Sequence, residues 1–375
     1  MATDIKKLFE VLTQHQAYLY RASSKTVNEL LALFNDDTSK MLSKLRDLLD
    51  ELNESEKVAL AGGKYTTSNL REIRDLIAQW FASVNLALPE AFAVSATALA
   101  VYEANYVAKL YGAKINKPDG EKLFLSAKKV PLAGGALVDD LLSRIAESAR
   151  QKVEYAIRDG INSGKTNQEI VQRIRGTKRL NYEDGILNGT KTDIERTVRT
   201  VRSHVANQAY LNSFNQIGFE YVRFVSVLDG RTSKLCASLD GSVWEINDPA
   251  KRVPPLHPNC RSILVPVEKD GQLVGERPFV MDERRVKDIP KEERSQLIGQ
   301  LDANTTFKEF FKKTDDFFQR EWLGPKRFKL YKDGKFDFDK FFDPEGRFYS
   351  LDDLRKLDEK AFKKLGLYFF LCYIF

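Results

Sequence analysis

At Gly218 the hydrophobic period of this chain changes, and that change limits the folds open to it. Through most of the preceding sequence apolar side chains recur every three or four positions, the spacing of helices with one buried face. From Phe219 the segment FEYVRFVSV alternates instead and is rich in aromatic and β-branched residues, which predicts a strand. Ser242–Ile246 and Ser262–Val267 predict two more, with a turn at Asp240-Gly241. Helices followed by a short run of strands predict an α+β fold, mainly α: a helical N-terminal body, a helical hairpin leading into a small antiparallel β module, and a short α-rich C-terminal part.

Four stretches follow from the punctuation. Residues 1–125 form a helical N-terminal domain suited to partner contact, in which Ile5 to about Leu52 reads as two amphipathic helices around the polar break Arg21–Lys25. Thr67, Ser68 and Asn69 open a further helix, and an Ala-rich helix is expected to follow Pro89. Lys117-Pro118-Asp119-Gly120 and Gly134-Gly135 mark a connection. Residues 126–217 are helical again, with capping boxes at Thr166–Glu169 and Thr192–Glu195 that predict helix starts, the second helix ending at Gly218. Residues 218–270 hold the β module. Residues 271–375 contain a basic segment, Glu283–Lys287, an aromatic amphipathic helix over Thr306–Trp322 whose phenylalanines read as core, and an apolar run, Leu367–Phe375.

Composition narrows the partners. The net charge of +6, from 59 basic and 53 acidic side chains, is a mild bias, so only local clustering makes nucleic acid a partner. Three cysteines in 375 residues exclude a disulfide framework and fit a reducing compartment. The N-terminal residues lack the apolar core of a secretion signal. No run of about 18 to 20 apolar residues is evident, and no membrane is expected in the mature assembly.

Uncommon residues concentrate in Asp229–Val267, where Cys236 precedes the Asp-Gly turn and His257 with Cys260 forms an H-x-x-C knuckle braced by Pro254, Pro255 and Pro258. Soft donors two residues apart can face one ion, and an arm some twenty residues upstream can supply another ligand, as in loop-built zinc sites. Cys236, His257 and Cys260 are therefore candidate ligands for Zn2+. Asp229, Ser233, Asp240 or a water are candidates for the fourth position, and burial of two small thiols under a loop accounts equally well for the cysteines. On the helix before the strands, Arg196, Arg199 and Arg202, with basic residues just upstream, offer a candidate phosphate track, although a solvated helix face explains such a run more often.

The order of three motifs resembles the phage head morphogenesis family, the minor head proteins typified by the Mu F protein. These are R-T at Arg196-Thr197 or Arg199-Thr200 in a helix with Asn207, D-x-R-T-S-x-x-C-x-x-L-D-G at Asp229–Gly241, and P-P-L-H-P-N-C-R at Pro254–Arg261. The resemblance is most specific over Asn162–Val267; the helical N-terminal part and W-L-G-P-K-R at Trp322–Arg327 also resemble it. Many relatives carry two cysteines before the Asp-Gly turn, and this chain has Ser233 near the first position. The resemblance implies a virion protein made in the bacterial cytoplasm and placed in the head near the portal vertex, with the portal protein, other head proteins and packaged DNA as partners. It implies head assembly or genome packaging and ejection, and does not imply an enzymatic activity. Two other classes compete. A metal-dependent nuclease or a cysteine hydrolase would use His257 as base, and a DNA-binding accessory factor would use the arginine helix.

Overall fold

The structure, a computed structural model, describes residues 2–367; the apolar run from residue 368 onward, and with it Cys372, lies outside the described residues. The first helix, α1 (Ala2–Asp50), is continuous. Its buried Leu19, Val27, Leu30, Phe34, Met41, Leu45 and Leu49 follow a helical repeat. The break expected at Arg21–Lys25 is absent for a physical reason. Ser23 is buried, and a guanidinium from a later helix, that of Arg199, donates to the Tyr20 carbonyl and to Ser23 Oγ, each at 2.6 Å. The serines are polar because they receive a cation from a neighbour.

After α2 (Glu54–Ala61), the N-cap Thr67 starts α3 (Ser68–Leu110), which runs through Pro89 without stopping. Proline removes one backbone donor, a loss of about 3 kcal/mol in a helix interior. Leu88 and Phe92 are buried on either side of it, and each returns about 1.5 to 3 kcal/mol on burial. Contrary to the sequence expectation, α3 includes a stretch that is long and apolar enough to cross a membrane by length and composition. One face of that helix, Leu70 through Val107, is buried in this fold.

Next come α4 (Gly120–Lys129), α5 (Val138–Asn162) and α6 (Asn167–Arg175), the last opened by the Thr166–Glu169 capping box. The long α7 (Asn188–Ile217) ends at Gly218, whose φ of 99° suits glycine. It begins four residues before the box expected at Thr192, whose hydroxyl instead donates back to the Asn188 carbonyl. Between Val198 and Tyr210 this helix is buried on most sides, packed on α1, α3, α4 and α5, which is why its apolar stripe blurs in the sequence. One core joins these helices across residue 125 and extends to Cys236, Cys260 and Leu264.

The strands are β1 (Tyr221–Val225), β2 (Leu228–Asp229), β3 (Val243–Glu245) and β4 (Ile263–Val267), with a short helix α8 (Lys234–Leu239) between β2 and β3. The expected antiparallel sheet has the order β3-β1-β4, with Val222 opposite Trp244 and Val225 opposite Ile263. A second sheet was not expected. In it β2 pairs in parallel with β5 (Glu276–Val280), which pairs antiparallel with β6 (Ile298–Asp302), following the short α9 (Arg294–Leu297). Pro278 argues against a central strand, but β2 covers only Phe279 and Val280 of β5, so the proline costs no ladder bond on that side.

The remainder is α10 (Phe307–Lys313), α11 (Asp316–Leu323), α12 (Pro325–Asp333), α13 (Leu351–Leu357) and α14 (Glu359–Lys364). The single helix expected over Thr306–Trp322 is two, each started by its own cap, Thr306 and Asp315. Phe307, Phe310, Phe311 and Phe318 form a second core with Trp322 and Phe338, while Phe317 points outward.

Candidate metal centre

The H-x-x-C knuckle is a reverse turn. Cys260 N donates to the His257 carbonyl at 3.1 Å, Pro258 takes the second position, and Asn259 takes the third with φ of 59°. Proline followed by a residue able to adopt positive φ is the type II pattern, and asparagine is among the few non-glycine residues that adopt it readily. Asn259 N donates to Thr200 Oγ1 of α7 at 3.2 Å, so the turn is fastened to the central helix. Cys236 does not lie on a loop as expected. It sits in the first turn of α8, where Ser233 caps the helix by accepting from Cys236 N at 3.2 Å.

The turn and α8 bring the three predicted donors together. Cys236 Sγ lies 3.3 Å from His257 Nε2 and 3.6 Å from Cys260 Sγ, and one ligand atom from each lies within 4.8 Å of the others. Two sulfurs and one nitrogen around a tetrahedral zinc stand about 3.8 Å (S to S) and about 3.5 Å (S to N) apart, given bonds of about 2.3 and 2.0 Å. The observed edges are close to those values. The Nδ1 of His257 is 2.9 Å from the Pro258 carbonyl, and donation to it leaves Nε2 a free lone pair aimed at the thiols. The cluster is able to hold a metal ion.

Without an ion the same three groups are electrostatically coupled. The hydrogen bond from Cys236 and the neighbouring His257 hold the Cys260 thiol well below its ordinary range, against the opposing effect of burial. Contact with Cys260 and burial push the Cys236 thiol up, and contact with Cys260 raises His257. Cys236 and Cys260 are only 2% and 3% exposed. Both thiols converge on one imidazole, with Cys236 Sγ 3.3 Å from His257 Nε2 and 3.6 Å from Cys260 Sγ, and three soft donors facing one point suit a ligand set.

Of the side chains named for the fourth position, the two carboxylates are committed to arginines, and Ser233 lies at the cluster. Asp229 receives Arg261 on both carboxylate oxygens, at 2.6 and 2.7 Å, and Arg231 at 3.0 Å. Burial pushes this carboxyl up, but the two guanidinium groups outweigh it and hold the pKa below the ordinary value. Asp240 accepts from Arg277, from Ser226 N and from Phe307 N, and so joins the two sheets to α10. Ser233 is the cap of α8, although its hydroxyl and that of Ser262 both favour a thiolate at Cys236. Nuclease metals prefer oxygen ligands, and the carboxylates closest in sequence to this cluster are bound to arginines.

The arginine helix divides. Arg196 pairs with Asp193 at the surface. Arg199 is half-buried against α1, bonded to Tyr20, Ser23, Ser24 and Glu195 with its guanidinium over the Tyr20 ring. Arg202 donates to Thr26 Oγ1 and Ser95 Oγ, at 3.1 and 2.6 Å, tying α7 to α1 and α3. The expectation of one solvated or phosphate-tracking face is therefore corrected. Two of the three are cross-braces.

Sequence reasoning missed the groups that support the site. Arg261 and Arg277 sit beside apolar residues and carry no motif of their own, though Arg261 closes the P-P-L-H-P-N-C-R run. Glu103 is fully buried in α3, 2.9 Å from His15 Nε2 and accepting from Tyr210 OH at 2.6 Å, and it joins α1, α3 and α7. No sequence signal separates it from the exposed glutamates of the same helix.

Two comparisons are silent: no curated protein and no solved structure matches the chain. A family model described as Phage Mu protein F like protein matches residues 151–265, from α5 to β4, a span that contains α7, the Cys236 arm and the knuckle. The motif resemblance thus falls where the site is built, and over residues 151–265 this chain is similar to the phage Mu protein F-like family.

Proposed function

We propose that this chain is a minor head protein of a bacteriophage, bound near the portal vertex, where it acts as architecture in head morphogenesis and in packaging or ejection of the genome. The observation that carries this reading is the use made of the shared motif. Asp229 holds Arg231 and Arg261, Thr232 donates to Asp229 and accepts Trp322 Nε1 at its carbonyl, Ser233 caps α8, and Thr200 holds Asn259. Through Arg261, the Thr232 carbonyl and Thr200 this motif fastens one element to another, and Ser233 starts the helix that carries Cys236. Zn2+ bound by Cys236, His257 and Cys260 would do the same, linking α8 to the knuckle, because metal binding energy is folding energy.

Residues 1–125 supply the contact surface for the portal protein and other head proteins, and exposed Leu86, Val94 and Tyr102 along α3 support that assignment. Imaging of intact particles tests it: the chain should trace beside the portal ring in few copies. Particles that assemble, package and infect normally without it would overturn the reading. So would DNA or peptide turnover lost on His257→Ala.

A further inference from the structure

A cleft of about 1200 Å³ opens between α1, α7, the link from β1 to β2, the knuckle and the segment after β5. Its lining is unusual in charge: nine side chains are cationic and one, Glu195, is acidic. Four of the cations are already paired, since Arg199 meets Glu195, Arg231 and Arg261 meet Asp229, and Arg277 meets Asp240. The other five are Arg21, Arg202, Arg285, Lys287 and Arg294, which form no ion pair among the described residues. Arg202 spends its bonds on two hydroxyls, and Arg294 gives Nε to the Ile289 carbonyl, leaving its terminal nitrogens. Two acids of the same segment, Asp282 and Glu293, are held by Arg284.

A second observation points the same way. Ser226 Oγ and Ser203 Oγ belong to residues lining this cleft, and both are buried with no hydrogen-bond partner among the described residues. Ser226 is only 4% exposed, and its backbone is fixed on both sides, its N–H by Asp240 and its carbonyl by Arg277. A buried hydroxyl left unmatched is unfavourable, and an arriving acceptor removes that penalty. Surplus positive charge with unspent hydroxyl donors calls for anionic oxygens.

The shape selects among anions. Single-stranded nucleic acid needs a groove that tracks its backbone and open aromatic faces on which bases stack. Tyr20 is the one aromatic side chain in the lining besides the His257 ring, and the Arg199 guanidinium lies 4.5 Å over it. Volume on this scale suits a cofactor-sized molecule. We propose that the cleft binds a compact oligophosphate, with Arg21, Arg285, Lys287 and Arg294 meeting the phosphates from the rim and Ser226 donating from the floor. This inference is independent of where the protein sits in a particle.

Calorimetric titration of the full chain with inorganic tripolyphosphate tests it, with sulfate, an oligoglutamate peptide and oligothymidylates of increasing length as comparators at one ionic strength. Tripolyphosphate should bind at one site and at least about tenfold tighter than sulfate, the difference expected from one or two added charge-assisted bonds. Arg285→Ala with Lys287→Ala should weaken it by about tenfold without moving the melting temperature of the free protein. Ser226→Ala should also weaken it while leaving the free protein as stable or more so, which a merely structural serine would not do. Absence of saturable tripolyphosphate binding, equal affinity for oligoglutamate, affinity that grows with oligothymidylate length, or indifference to both variants would overturn the proposal.

Discussion

Arg261 grips both oxygens of Asp229, at 2.6 and 2.7 Å, so this motif carboxylate is committed to the scaffold. Removing one partner of a buried pair leaves the other charge desolvated and costs about 3 to 5 kcal/mol. Asp229→Ala should therefore lower the unfolding free energy by an amount of that order while purified protein keeps its full metal content. Denaturant titration and elemental analysis on the same sample check both halves. The pH dependence has a definite sign. The folded carboxyl titrates below its ordinary value of 3.8, so the unfolded chain takes up the proton first, and this stability is lost as pH falls through the acid range below about 4.

The opposite pattern belongs to the sulfurs. If Cys236, His257 and Cys260 hold zinc, Cys260→Ser should lower zinc content and melting temperature together, and a chelator should reproduce the thermal shift in the wild type but not in the variant. Cys260→Ser that retains the ion would remove this residue from the ligand set. Comparison with Asp229→Ala separates a lost ligand from a lost brace.

How much of this was legible beforehand depends on whether a residue acts locally. The β3-β1-β4 sheet, the Thr166 cap, the Gly218 terminus and the convergence of Cys236, His257 and Cys260 all follow from spacing within a few residues or from one compact motif. What escaped the sequence is decided across the fold. The serines near residue 23 read as a break because their partner, Arg199, lies 176 positions away. The second sheet was missed because β5 carries Pro278 and β6 carries Gly299, both poor strand formers, and its shortest member has two residues. Asp229 and Asp240 looked available as ligands since no local pattern announces Arg261 and Arg277.

Arg196 and Arg199 differ by three positions and should differ widely in effect. Arg196→Ala removes an exposed pair with Asp193 and should change stability by no more than about 0.5 kcal/mol. Arg199→Ala strips hydrogen bonds from Tyr20, Ser23 and Ser24 at the α1–α7 contact and should cost about 2 to 3 kcal/mol. Paired urea titrations decide it. Similar small losses in both variants would mean that Arg199 does not brace the helices, and the helix would again be open as a phosphate track.

Lys234 supplies the last prediction. Its ammonium lies 3.7 Å from the centre of the Trp322 ring, largely out of water, and burial lowers its pKa from 10.5 to about 8. The folded state therefore disfavours the charged form. Below pH 8 the lysine is protonated in both states and the full cost is present; between about 8 and 10.5 the unfolded chain still holds its proton while the folded chain has released it. Unfolding then takes up protons, and this group makes stability rise with pH across that interval, the same sign as the acid-range effect of Asp229 but at the other end of the pH scale. Lys234→Met keeps the apolar stem over Trp322 and removes the titration. Relative to wild type it should gain stability at pH 7 and lose that advantage by pH 10, read as the difference in urea midpoints at the two values. An unchanged difference at both would show that the ring face compensates the buried charge fully.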